Sequence, residues 1–497
     1  VSGLDELLRD LPVRQVAGSA TGVAVTGLAH DSRRVVPGDL FAAWSGAKFR
    51  GRDHAAEALT RGAVAVLCDE EPAPGSPAAA SASAPWFVAA EPRRLLAPLG
   101  ARLYRRPDRE LDLVGVTGTN GKTTTVTLVA ALLEAAGRPA GVLGTLGYRF
   151  RDQDLGTDRT TPEASDLFRI LRALRELGAV AAAMEVSSHA LEQGRVEGVE
   201  YRVGVFTNLT RDHFDFHGDF ASYFRAKRRL FEQLAPEGRA CVNVDDPYGR
   251  ELHGQLGGSL GFGVDGDVRP EGIQLDERGM RGTILTPRGP LRFESTLLGR
   301  YNLDNVLAAV AVGEALGLPH EAMRAGLRDR GPLPGRLEPV AAGQEFPALV
   351  DYAHTDAALI AALTSVREFT RRKILLVFGC GGDRDPGKRP LMGAAAGRLA
   401  DLPIITSDNP RTEDPQRIVD AVEAGLKATG HQGYRVVLDR HRAIEQAVAV
   451  ALEQPGEWIL VVAGKGHETA QLVGDQRLPF SDRAEIARAV EQLRGAA

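Results

Sequence analysis

One stretch constrains the fold of this chain more than any other. Gly115-Val116-Thr117-Gly118-Thr119-Asn120-Gly121-Lys122-Thr123-Thr124 is a glycine-rich turn between an apolar run, Leu111 to Val116, and a helical pattern that continues to Gly137 and stops before Pro139. A strand that enters a helix through such a turn offers backbone N–H groups and a helix N-terminus, the combination that cradles phosphates. In the strict phosphate-loop spacing the first glycine would fall on Val116, with Gly115 and Gly118 flanking it; the lysine and hydroxyl end is intact. Lys122 is then placed to reach β and γ phosphates and Thr123 to ligate Mg²⁺, roles that need a point charge and an oxygen at the helix start.

The rest of the chain repeats this strand-and-helix alternation. A length of 497 residues exceeds one ordinary core, and about 150 residues per domain predicts three. Residues 1–108 mix short apolar strands such as Ala63 to Leu67 with a Pro, Ala and Ser tract from Pro72 to Pro85 that reads as a solvated loop. In residues 109–333 the strand candidates Leu111 to Val116, Val180 to Met184 and Val203 to Thr207 alternate with helical stretches, which argues for a largely parallel sheet. In residues 334–497 the apolar runs Ala348 to Val350, Ile374 to Phe378, Leu402 to Thr406 and Trp458 to Ala463 each end in a polar loop bearing glycine or proline, a Rossmann-like pattern. The expected class is α/β in three domains, with no internal repeat.

Composition excludes several functions. With 43% hydrophobic residues, 25% charged residues and no long apolar span, nothing here is expected to cross a bilayer. Val1 to Asp10 carries acids and lacks the basic-then-apolar order of a secretory signal, so a cytoplasmic location is expected. Cys68, Cys241 and Cys380 are far apart, odd in number and match no zinc spacing, so they read as reduced packing residues. A net charge of −5 with both signs interspersed offers no stripe for a nucleic-acid backbone. A monomer is expected.

Glu185 ends the apolar run Ala181 to Met184, where a carboxylate can hold the metal of a bound nucleotide; alone, a solvated strand-end acid is the alternative. The wider pattern narrows this. The phosphate loop, Glu185-Val186-Ser187-Ser188-His189, Thr207-Asn208-Leu209-Thr210-Arg211-Asp212-His213, Asp215-Phe216-His217-Gly218, Gly299-Arg300-Tyr301-Asn302 to Asn305, Gly335-Arg336, Asp351-Tyr352-Ala353-His354 and Gly464-Lys465-Gly466-His467-Glu468 follow one another in this order. Over nearly the whole length the chain resembles the Mur ligase family.

The resemblance implies an N-terminal domain for the UDP end of a cell-wall precursor, a central ATPase and a C-terminal domain that brings an amino acid. It implies that ATP is held by Gly118, Thr119, Asn120, Gly121, Lys122, Thr123, Thr124, Asn302, Arg336 and Asp351. It makes Lys122, Glu185, His213 and Lys227 the catalytic set and Thr123, Glu185, His213 and Lys227 the Mg²⁺ set, with Lys227 as a CO₂-derived carbamate. Judged alone, Lys227 reads as a helix-surface lysine and His213 as a satisfied polar residue. Carbamylation is chemically reasonable, because CO₂ adds to a neutral amine and gives an anion with two oxygens for a hard cation.

By the same resemblance, His30, Ser32, Ala47, Lys48 and Phe49 contact the uridine diphosphate, and Thr160, Thr161, Ser187, Gln193 and Arg195 the muramoyl peptide. Gln193 and Arg195, taken separately, are ordinary surface residues. Asp408-Asn409-Pro410-Arg411, just past the strand Leu402 to Thr406, together with Arg384, Gly464 and Glu468, accompanies use of meso-diaminopimelate. Arg411 can take the second carboxylate that lysine lacks, and acids its ammonium.

The implied reaction joins that amino acid to UDP-N-acetylmuramoyl-L-alanyl-D-glutamate: ATP phosphorylates the D-glutamate γ-carboxylate, the amine attacks the acyl phosphate, and ADP and phosphate leave. L-lysine or L-ornithine as the added residue, another amide ligase of the superfamily such as a folylpolyglutamate synthetase, and a regulatory NTPase that binds a precursor remain the alternatives. One departure stands out. After His354-Thr355 the family pattern continues with proline and aspartate, whereas here Asp356 and Ala357 follow, so either the acid has shifted or the ATP-side loop is altered.

Overall fold

The computed structural model describes residues 1–46, 50–75, 84–156 and 159–495. Among these, three main sheets follow one another along the chain, of five, eight and six strands. The first runs in the order Arg14–Ala17, Trp86–Val88, Ala65–Cys68, Asp39–Ala43, Gly27–Ala29, parallel except for its first pair. The expected strand from Ala63 starts later, because the Ala63 amide is taken by Ala58 O at the end of the preceding helix. Part of the Pro72 to Pro85 tract lies outside the described residues.

The eight-stranded sheet has Asp112–Thr117 near its middle, flanked in parallel by Ala181–Glu185 and Tyr201–Phe206. These strands are rich in alanine and valine and buried on both faces, the pattern of a sheet covered by crossover helices. The helices Lys122–Ala135 and Arg300–Ala315 cover one face; nearly every residue of the second is buried, as its alanine- and valine-rich sequence requires. The helix Ala164–Glu176 instead buries one stripe, Leu167, Phe168, Ile170, Leu171 and Leu174, at helical spacing. An antiparallel meander, Arg269–Asp276, Gly279–Thr286 and Gly289–Ser295, closes over Arg300–Ala315.

The six-stranded sheet orders Glu338–Pro339, Ala348–Asp351, Trp458–Ala463, Lys373–Phe378, Leu402–Ile405 and Arg435–Val436, parallel after its first pair, with a core on each face. Its register aligns Asp351 with Ala463 and Phe378 with Ile405, so the loops that follow these strands emerge along one edge. In open parallel sheets that edge is where ligands bind. Cys68, Cys241 and Cys380 are free and buried. Among the described residues no helix is long and apolar enough to cross a membrane.

Candidate active site

Sheet register assembles the phosphate loop. Glu185 pairs with Val116 and Phe206 with Thr117, so the Glu185 carboxylate and the Thr207-Asn208 loop flank the turn at one level. The turn is held through its main chain: Thr119 N donates to Asn208 O (2.9 Å), Asn120 N to Asn208 Oδ1 (2.9 Å) and Thr207 Oγ1 to Asn120 O (2.6 Å). Gly118 and Gly121 have φ of 147° and 88°; a Cβ on the first would run into Thr207 Oγ1 and on the second into Asn305 Oδ1. Only glycine permits both this conformation and this approach.

Two lysine amino groups converge on one carbonyl. Lys122 Nζ donates to Gly118 O and Thr119 O, both at 2.9 Å, and Lys227 Nζ donates to Gly118 O at 2.7 Å. Lys227 is not the surface lysine its local sequence suggests: it is 1% exposed. The helix Phe220–Arg228 turns Tyr223, Phe224, Ala226 and Lys227 inward, and the Tyr223 ring lies 4.4 Å from Nζ. Burial, then the charge of Lys122, pushes the Lys227 amine well below its ordinary value. Burial also lowers Lys122, opposed by Glu185 and Asp212. Lys122 supplies the positive charge that attracts phosphate oxygens, and the downward shift at Lys227 raises its neutral fraction.

Glu185 is 1% exposed, and Thr145 anchors both of its oxygens, the amide to Oε1 (2.8 Å) and the hydroxyl to Oε2 (3.2 Å). His213, at φ 55°, lies with Nε2 3.4 Å from Asp212 Oδ2 and edge-on to His189. Burial brings its imidazole down to about 4, against the opposing charge of Asp212, so it is neutral at pH 7 and has a lone pair to give. Thr123, Glu185 and His213 line one cavity of about 420 Å³ with Lys122. Among the described residues no three His, Cys, Asp or Glu side chains cluster as a metal cage. This sparse oxygen-and-imidazole set fits Mg²⁺, which takes few protein ligands and completes its shell with phosphate and water.

The C-terminal sheet supplies the opposite wall. Arg336 Nη2 donates to Thr123 Oγ1 (3.1 Å), Lys388 Nζ to His354 O (2.9 Å), and Arg211 pairs with Asp385 (3.3 Å). Asp351 lines the cavity and accepts from Tyr301 Oη (2.8 Å) and Leu337 N (2.7 Å). Asn302 is fully buried and accepts from Asn305 Nδ2 (3.1 Å); Asn305 is the one on the cavity wall. The departure at Asp356 leaves the helix Asp356–Phe369 intact. The Thr355 hydroxyl caps it by accepting from Ala358 N (3.2 Å), Asp356 enters the first turn where the helix dipole favours an acid, and Ala357 faces the cavity.

Thr160 and Ser187 reach the same cavity beside Glu185. Thr161 is an internal strut, donating to Glu185 O (2.9 Å) and accepting from Ser187 N (3.0 Å). Arg195 is buried, not superficial; its Nε lies 3.0 Å from Glu163 Oε1, and its Nη2 donates to Gln193 Oε1 (2.5 Å). Arg93 Nη2 joins both partners, at 2.6 and 2.9 Å, and Arg159 approaches Glu163 at 3.4 Å. Glu163 is therefore the hub of three guanidinium groups, a role no sequence motif marked. The surplus positive charge at this seam suits a carboxylate or diphosphate. His30 shares a hydrogen bond with Ser165 Oγ (2.9 Å) and lines a smaller cavity of about 70 Å³ there. Ser32 Oγ is engaged by Glu57 (2.7 Å); Ala47, Lys48 and Phe49 lie outside the described residues.

The third cluster lies on the ligand edge of the C-terminal sheet. Asn409 Nδ2 donates to Glu468 Oε2 (2.8 Å), and a Cβ on Gly464 would collide with Asp408 Oδ2. Arg411, at φ 52°, donates through Nη1 to Gly382 O (2.6 Å). Burial lowers Arg411, and the nearby charge of Arg384 lowers it further. Pro410 is buried.

The chain is similar to known proteins over nearly its whole length. Models of the Mur ligase family catalytic domain, the Mur ligase middle domain and the Mur ligase glutamate ligase domain match residues 24–104, 116–313 and 335–466. The UDP-N-acetylmuramoyl-L-alanyl-D-glutamate--2,6-diaminopimelate ligase of Geobacter metallireducens is 44% identical over 96% of each chain. That of Alkalilimnicola ehrlichii is 45% identical over 95% of this chain and 96% of its own. A solved structure of a ligase with the same name superposes with a TM-score of 0.68 at 31% identity, covering 99% of both chains. At 17% identity, the MurF ligase from Thermotoga maritima in complex with ADP shares the fold, with a TM-score of 0.66 over 96% of this chain and 100% of its own. This chain belongs to the Mur ligase family.

Proposed function

We propose that the chain is an ATP-dependent ligase that joins meso-2,6-diaminopimelate to the D-glutamate γ-carboxylate of UDP-N-acetylmuramoyl-L-alanyl-D-glutamate in peptidoglycan precursor synthesis. We place the reaction in the cytoplasm, where ATP is available, and divide the chain at about residues 108 and 333 into precursor, nucleotide and amino-acid domains. The observation that carries this reading is a single cavity with the phosphate loop, Glu185 and His213 on one wall and Arg336, Asp351 and His354 on the other.

Its mechanism follows from charge and position. The loop amides and Lys122 hold the β and γ phosphates, and Arg336, already on Thr123 Oγ1, adds a planar cation to the same oxygens. Thr123, Glu185 and His213 are the residues that would hold Mg²⁺, which would supply charge neutralisation to the phosphate oxygens. Lys227, whose amine burial pushes well below its ordinary value, is the side chain that would carry the carbamate, which would add an anionic pair of oxygens for the cation. Thr160, Ser187 and Arg195 orient the muramoyl dipeptide so that its γ-carboxylate meets the γ phosphate. The resulting acyl phosphate is open to the amine brought by Arg411, Asn409 and Glu468. Alignment and electrostatics then carry the rate, with no nucleophilic side chain.

The test is to incubate the protein with ATP, Mg²⁺, the UDP-muramoyl dipeptide and meso-diaminopimelate and to weigh the nucleotide-linked product. A mass gain of one diaminopimelate less one water is expected. ATP hydrolysis with no mass gain would leave a regulatory NTPase.

A further inference from the structure

Lys465 takes no part in the reading above, yet it is 0% exposed. It sits in a turn that two glycines press inward: Gly464 and Gly466 have φ of 120° and 54°, and a Cβ on Gly466 would approach Tyr352 Cβ at 2.7 Å. Its Nζ donates to Asn409 Oδ1 (2.9 Å) and to Glu468 Oε2 (2.8 Å). Asn409 Nδ2 closes the triangle on the same Oε2 (2.8 Å), and Leu472 N fixes Asn409 Oδ1 from the other side (3.0 Å). A methionine would fill a similar space without a desolvated charge, so the ammonium earns its place through what it holds. Both donors fall on Oε2, and the Glu468 side chain keeps 31% of its surface exposed, so Oε1 is the oxygen left for a ligand ammonium.

We propose that Lys465 is a positioning residue for amino-acid selectivity: it locks Asn409 and the Glu468 carboxylate into the arrangement that receives a second ammonium-and-carboxylate head. The inference rests on the ligase reading with diaminopimelate as substrate. Electrostatics agree with the geometry. Burial raises the Glu468 carboxyl, but the hydrogen bond and charge of Lys465, with Asn409 and His467, bring it below its ordinary value. Arg411, Arg440, Tyr352 and Asp408 also face this spot, so Glu468 is one anion within a mixed field and its ionisation depends on the cation it touches.

The experiment measures KM for meso-diaminopimelate and for ATP, and the pH profile of kcat/KM for diaminopimelate, in the wild type, K465Q and K465R. For K465Q the expected result is a rise of about tenfold in the diaminopimelate KM, the size of one charge-assisted hydrogen bond, with the ATP KM held within about twofold. The acid limb of the profile should move to higher pH, because Glu468 protonates sooner without its cation; K465R, which keeps the charge, should restore that limb. An unchanged diaminopimelate KM, or equal changes in both KM values, would overturn the proposal. A second measurement leaves Lys465 alone: carboxyl ¹³C titration of the wild type, with E468Q to assign the signal, should show Glu468 titrating below ordinary glutamate, and titration at or above the ordinary range would also overturn it. A wild type that turns over diaminopimelate alongside a wild-type-like K465Q refutes this inference alone. A wild type that ignores diaminopimelate refutes the underlying reading.

Discussion

Two buried lysines in this molecule have opposite surroundings. Lys227 points at a backbone carbonyl that it shares with Lys122, whereas Lys465 points at a carboxylate and an amide that themselves face the ligand edge. The phosphate end is built from main chain: Thr207 and Asn208 clamp backbone atoms of the loop, and its glycines admit no side chain. The amino-acid end is built from side chains that hold one another. A main-chain cradle suits a ligand that never varies, such as a triphosphate. A side-chain triangle suits a site that must tell one amino acid from another, because each member can be exchanged without refolding the loop.

The comparison breaks first at Lys122. If the phosphate end works by aligned positive charge, K122M should lower kcat by at least about a thousandfold, as the loss of a transition-state donor does, with thermal stability maintained. A small effect would mean the cradle acts without it. Next in size is a change beneath the amino-acid end. Arg440 and Asp482 form an ion pair with both side chains 0% exposed, and Arg440 Nη2 also donates to Ala463 O (3.0 Å), just before Gly464. Leaving one partner unpaired, as in D482A, should cost about 3–5 kcal/mol in denaturant unfolding; a loss near zero would show the pair is solvated.

Selectivity should separate the two ends. R411A is expected to raise the diaminopimelate KM by roughly ten- to a hundredfold, the worth of a charged bidentate contact, while the ATP KM stays put; movement of the ATP KM instead would merge the two sites. The smallest signal is spectroscopic. With burial and Lys122 both depressing the Lys227 amine, the neutral form that CO₂ attacks grows as pH rises, so ¹³C-bicarbonate at pH 8 should give a carbamate resonance that fades on acidification and is missing in K227Q. Its absence from the wild type would leave Lys227 a plain cation.

Local order along the chain explains which features its residues revealed. The strand, turn and helix around Gly118 are contiguous, so their spacing carried the fold class and the phosphate loop. Strand ends were harder, because Ala63 and Val180 lend their amides to Ala58 and Pro139 before pairing begins. The burial of Lys227 depends on a loop 109 residues away, and nothing in Phe224 to Lys227 encodes it. Glu163 carries no local signal for the same reason, since Arg93 lies 70 residues upstream and Arg195 beyond two helices and a strand. Asn302 and Asn305 differ only in which side of the helix Arg300–Ala315 they occupy, and that helix's packing turns the second toward the cavity.

The central claim meets its most direct test in phosphate release with ATP, Mg²⁺ and UDP-N-acetylmuramoyl-L-alanyl-D-glutamate, comparing meso-diaminopimelate, L-lysine and L-ornithine in parallel. Release that requires the dipeptide precursor and diaminopimelate together is the expected result; release with lysine or ornithine instead, or release that needs no acceptor at all, would contradict the account.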